Sequence, residues 1–142
     1  MMEGTMERKK SDEERYREAL ISMKQGNKKA KTRVAFYKLT GLGGAEVDAD
    51  EAVVLLEERS RGRDNEARWM LGLCCEYGLG IEQDVKRAEL LYRTASENGN
   101  CCGMFLLENS RGGRGSGAMI ADTLGKFLGI PISLFLMIIL QT

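Results

Sequence analysis

Four cysteines stand as two adjacent pairs, Cys74-Cys75 and Cys101-Cys102, and are the residues most open to chemistry. A zinc site spaces its cysteines by two to four residues so that both thiolates converge on one ion, whereas neighbours on a helix point about 100° apart. That spacing speaks against a metal. Buried free thiols serving as small hydrophobes are the expectation in a reducing compartment, with a redox role left open. The chain has no histidine, which removes the commonest general base, the Ser-His and Cys-His nucleophile pairs, and His-containing zinc sites. The residues assign no catalytic, cofactor-binding or metal-ligating position.

Two further motifs could touch anions. The run RGGRG, residues 111 to 115, is a single arginine-glycine cluster in a neutral chain, weak as a nucleic-acid signal, and a flexible linker over residues 111 to 117 is the better reading. GRGSGA lacks the Lys-Ser/Thr ending that lets a phosphate loop hold a nucleotide. Lys plus Arg balance Asp plus Glu at 21 each, so no global field draws the 142-residue chain to nucleic acid or to an anionic membrane. Charge is uneven along the chain, with 11 basic and 6 acidic side chains in residues 1–40 against 1 and 6 in residues 41–60. Solvated faces of a helical array account for that gradient.

At 43% hydrophobic and 30% charged the composition is globular, and its length fits about one domain. The first ten residues read as a flexible N-terminus, and charges without a following apolar stretch do not form a secretory signal, so a cytoplasmic location is expected. From Ser11 a capping box with Glu14 opens an amphipathic helix through Tyr16, Ala19, Leu20 and Met23, stopped by Gly26. A second helix carries Val34, Ala35 and Leu39 and ends near Gly41. A third starts at Asp48 with Glu51, turns Ala52, Leu55 and Leu56 inward and breaks at Gly62. Asp64 or Asn65 caps a fourth through Ala67, Met70, Leu71 and Cys74 to Gly78. Asp84 caps a fifth through Ala88, Leu91, Tyr92 and Ala95 to Gly99, and Asn100 begins a sixth with Phe105 and Leu107 as its apolar residues. Period-2 alternation is absent and the only proline is Pro131, so the fold class is all-α.

The stops at Gly26, Gly62 and Gly99 are 36 and 37 residues apart, and a shift of 36 lays Asp48 on Asp84, Ala52 on Ala88, Leu55 on Leu91 and Gly44 on Gly80. Such a period predicts stacked helix pairs, a short α-solenoid in which each pair covers the apolar face of its neighbour. The spacing of Ala67, Leu71, Gly72, Gly78, Gly80, Ile81, Asp84, Ala88, Tyr92, Ala95 and Gly99 resembles a Sel-one-like repeat, a tetratricopeptide-related unit. Cys75 stands where the family has tyrosine, Arg87 replaces lysine and Leu91 replaces tryptophan. The preceding unit, about residues 30–65, keeps Gly44, Asp48 and Ala52 but carries Ala35-Phe36 in place of Leu-Gly and Leu42 at the first loop glycine. Partial units at both ends extend the resemblance to about residues 11–110.

The resemblance implies a non-enzymatic scaffold or adaptor that binds another protein. Ala67, Gly72 and Ala88 then let helices approach, while Gly78, Gly80 and Asp84 shape the turn. Arg33, Lys38, Arg68 and Trp69 are the candidate partner contacts, since tryptophan and arginine suit interfaces. Some secreted, disulfide-rich relatives hydrolyse cell-wall-like substrates, but this chain has Ala95 and Ser96 where their pairing needs a thiol. No cofactor and no nucleic acid are expected. The repeat leaves residues 118–142 unexplained. Their apolar run from Phe127 to Leu140 reads as a membrane contact, a cap for the solenoid or an extension foreign to the fold. Fourteen helical residues span only about 21 Å of a roughly 30 Å hydrocarbon core.

Overall fold

The computed structural model describes residues 9–111, and among them there are helices and turns but no strand. The helices are α1 (Asp12–Lys24), α2 (Lys28–Thr40), α3 (Ala49–Ser60), α4 (Asn65–Tyr77), α5 (Val85–Glu97) and α6 (Cys101–Arg111), with a 3-10 turn at Leu42–Gly44. Arg111 therefore closes α6 and does not begin the linker. The rest of the expected linker, and the apolar run from Phe127 to Leu140, lie outside the described residues.

Every helix starts on a side chain that accepts otherwise orphaned amides. Ser11 accepts from the Glu14 amide at 3.3 Å while the Glu14 carboxylate accepts from the Ser11 amide at 3.2 Å, completing the capping box. Asp48, Asp64 and Asp84 each accept from the amide three residues on, at 3.1, 3.1 and 3.0 Å, and Asn100 accepts from Gly103 at 2.9 Å. Asn27 opens α2 by accepting from Lys29 at 3.0 Å. Each such cap is worth about 1 kcal/mol. Asn27, Asp64 and Asn100 open the first helices of successive pairs, whereas Ser11, Asp48 and Asp84 open the second helices.

Each helix packs against the next along the chain, and the first helices also touch one another, α2 with α4 and α4 with α6. The pairs thus stack as an all-α solenoid in which α2, α4 and α6 lie along one side. Ala35, Ala52, Leu56, Ala67, Leu71, Cys74, Cys75, Ala88 and Tyr92 form one continuous core through the stack. Leu39, Leu55 and Leu91, expected inside, pack at its margin only partly buried. In α6 the core residues are Leu106 and Leu107, with Phe105 half-buried. The buried Gly103 brings α6 against α5, because a Cβ there would lie 2.6 Å from that of Ala95.

Gly72 is small for one neighbour: a Cβ added to it would sit 2.5 Å from Cε1 of Tyr92, whose ring fills the space between α4 and α5. Polar links tie the units together. The Thr32 hydroxyl donates to Asp64 Oδ2 at 2.5 Å, joining α2 to the cap of α4. Arg87 reaches Glu57 at 2.7 Å, joining α5 to α3.

The repeat register differs from a uniform shift of 36. Gly43, not Gly44, occupies the place of Gly80: both have φ 66°, and both lie flat on the start of the second helix of the preceding unit. A Cβ at Gly80 would meet the Ala49 carbonyl at 2.5 Å and one at Gly43 the Asp12 carbonyl oxygen at 2.6 Å, whereas Gly44 faces open space. The cause is one extra residue in the turn from Gly41 to Asp48 relative to that from Gly78 to Asp84. From this unit to the next, the first helices, α2 and α4, are therefore offset by 37 and the second helices, α3 and α5, by 36. Gly41 then matches Gly78, both left-handed helix ends, and Val34-Ala35 matches Leu71-Gly72. Neither Leu42 nor Phe36 is the departure that the single shift made of it.

Candidate partner-binding groove

A groove of about 750 Å³ runs between α1, α2 and the start of α4. Arg15 and Glu18 of α1, with Lys10 just before it, form one wall, Lys29 and Arg33 its α2 wall, and Glu66 its α4 edge. Ala30, Phe36, Tyr37 and Met70 supply an apolar floor. Tyr37 is fixed from two sides, its ring centroid 5.3 Å from that of Tyr16 and 5.4 Å from that of Phe36, the latter edge to face. Burial raises the Tyr37 phenol above its ordinary pKa and Asp12 adds to that, while the guanidiniums of Arg15 and Arg33 pull it down. Two cations on different helices thus act on one ring at the groove.

The sequence-expected contacts fare unequally. Arg33 is exposed and lines the groove. Trp69, by contrast, is a core residue with 1% of its surface exposed, its indole N–H donating to Glu66 at 3.0 Å. Arg68 is spent on the fold: it donates to the Ser60 carbonyl at 3.3 Å, to Asn65 at 2.6 Å and to the Gly62 carbonyl at 2.5 Å, closing the turn after α3. Lys38 lies mostly covered and ion-paired with Glu51 at 3.0 Å. That hydrogen bond raises its pKa against the opposing effect of burial. Packing demands on α2 and α4 claim these three side chains before a partner can.

Lys29, Phe36 and Met70 escaped the sequence reading. The 37-residue register holds their signal, for it sets Lys29 on Glu66 and Arg33 on Met70 as a stripe along successive first helices.

The thiols divide. Cys74 and Cys75 are buried, and desolvation pushes Cys74 up to about 12. Cys102 is half-buried and raised to about 11, again chiefly by burial, but Cys101 is exposed and so is not the buried hydrophobe that the sequence suggested. Among the described residues no group of cysteine and carboxylate side chains is placed to hold a metal ion, and no helix is long and apolar enough to cross a membrane.

The Sel1 repeat family matches residues 28–58 and 65–100. No curated protein matches the sequence. Solved structures that share the fold include two repeat proteins. One is a protective antigen present in uropathogenic Escherichia coli strains, displaying an SLR fold, with TM-score 0.63 and 24% identity over 75% of this chain and 23% of that one. The other is a Sel1 repeat protein from Oxalobacter formigenes, with TM-score 0.58 and 25% identity over 71% of this chain and 40% of that one. The chain therefore spans less than half the length of either. Residues 28–58 and 65–100 are Sel1 repeats, and the chain is a Sel1-like repeat protein.

Proposed function

We propose that the protein is a non-enzymatic scaffold that binds a partner protein along the groove between α1, α2 and α4. The observation that carries this reading is the groove itself, where an apolar floor of Phe36, Tyr37 and Met70 lies between charged walls. Sel1 repeat proteins are in general protein-interaction scaffolds. Apolar floor with polar rim is the composition of a recognition surface. A photo-crosslinking residue placed at Arg33 in the full chain should yield a discrete protein adduct in cells. The same residue at Leu90, exposed on α5, should yield none or a different one. Adducts from position 90 alone would move the binding face away from the groove.

A second reading keeps this scaffold but tethers it at a membrane, and the apolar run FLGIPISLFLMIIL, residues 127–140, favours it. Retention in the membrane pellet after carbonate extraction supports tethering, and full release into the supernatant removes it in favour of a cytoplasmic scaffold.

A further inference from the structure

The groove is lined by four cations and two carboxylates, and the carboxylates are already engaged. Glu18 pairs with Lys10 at 2.9 Å. Glu66 accepts from Trp69 at 3.0 Å and from Asn100 at 2.9 Å. Arg15, Lys29 and Arg33 form no ion pair with any described residue. Elsewhere some basic side chains are matched, as Lys31 is by Glu58, Lys38 by Glu51, Arg87 by Glu57 and Arg93 by Glu89, and others, such as Arg17, Lys24, Lys28 and Lys86, are not. What sets Arg15, Lys29 and Arg33 apart is that they line one hollow. Lys29 and Arg33 stand four residues apart on one face of α2, where like charges repel. Arg15 faces them from α1 across the same hollow.

An anion placed between these walls would relieve the repulsion and gain pairing from both helices, and guanidinium forks match carboxylate and phosphate oxygens alike. The floor adds a second requirement, because half-buried Phe36 offers apolar surface to the occupant beside the 8% of Met70 that is exposed. Free inorganic anions would leave that surface wet. We infer that the groove takes an acidic peptide segment of the partner, its carboxylates facing Arg15, Lys29 and Arg33 and an apolar side chain resting on Phe36 and Met70. This assignment rests on the groove being the binding face proposed above.

The test uses the full chain and three fluorescein-labelled peptides that alternate one polar residue with Leu and Phe, the polar residue being Glu, Gln or Lys. By fluorescence anisotropy at low salt the Glu peptide should bind, the Gln peptide at least about tenfold more weakly and the Lys peptide not at all. Arg33→Glu and Arg15→Glu should each weaken the Glu peptide at least about fivefold, and added salt should weaken it further. Arg33→Ala, which removes the charge without reversing it, should act in the same direction, and circular dichroism reports whether each variant is folded. Equal affinity for the Glu and Gln peptides, or no binding of any peptide, overturns the acidic assignment. Groove crosslinking from position 33 in that case leaves the binding face intact. Glu-peptide binding indifferent to both arginine variants places the acid elsewhere and overturns it too. Tighter binding of polyuridylate would give the cations to nucleic acid, and self-association abolished by Arg33→Glu would give the groove to a second copy. Either outcome ends the peptide assignment.

Discussion

The hydroxyl of Tyr92 donates to Oε2 of Glu76 across 2.7 Å, joining the middle of α5 to the last turn of α4. Desolvation holds Glu76 above its ordinary value of 4.5, with the Tyr92 bond opposing. A carboxyl raised in the folded state contributes its stability fully below the unfolded pKa and loses it as pH rises through the folded one.

Glu76→Gln keeps an acceptor for Tyr92 but removes the titration. The stability of this variant relative to the parent should therefore shift in favour of glutamine as pH is raised from about 4 to about 8. Urea denaturation at several pH values measures this, and a relative stability that stays flat or moves the other way contradicts it.

Gly72→Ala should destabilise by about 1–3 kcal/mol, because the new methyl group meets the fixed Tyr92 ring and overpacking outweighs the roughly 1 kcal/mol that alanine gains in a helix. Gly62→Ala has room, with the nearest atom 3.6 Å from the added Cβ, and should be neutral or stabilising by under about 1 kcal/mol. Comparing the denaturation midpoints of the two variants separates packing from propensity.

Ala88, 1% exposed, lies in the core, whereas Arg93 makes an i,i+4 ion pair with Glu89 at the surface. Ala88→Arg should cost about 3–5 kcal/mol as an unpaired charge forced into that core, and Arg93→Ala less than about 0.5 kcal/mol. Similar melting shifts for both would mean that the faces of α5 are wrongly assigned.

Native thiol labelling should be graded among the four cysteines. Cys101 is exposed and should react first, Cys102 more slowly, and Cys74 and Cys75 only when the chain unfolds. Mass spectrometry of timed alkylation reads the order, and early modification of Cys74 would show that the core opens locally.

The helices were legible because their signals are local. Ser11 with Glu14, Asp48, Asp64 and Asp84 cap where a short polar residue precedes a periodic apolar run, and Gly41 and Gly78 end helices through their own backbone freedom. The repeat was legible as well, though not its register, since one inserted loop residue moves first and second helices by different amounts. The groove was less accessible. Arg33 could be named from composition, but Arg68 is claimed by the turn after α3, Lys38 by Glu51 on the next helix and Trp69 by the core, and no helix periodicity announces that. Leu106 was missed beside Leu107 because α6 has too few turns to establish a phase.

The glycines that rest on the preceding unit, Gly43 and Gly80, have a mechanical consequence. Contacts through side chains can slip by a rotamer change, but at Gly80 main chain lies directly on the Ala49 peptide with no swivelling group between. The joint between units is therefore stiff. Drift in surface sequence leaves the pitch of the coil nearly untouched, and a pull along its axis would load these two seams before it bent any helix.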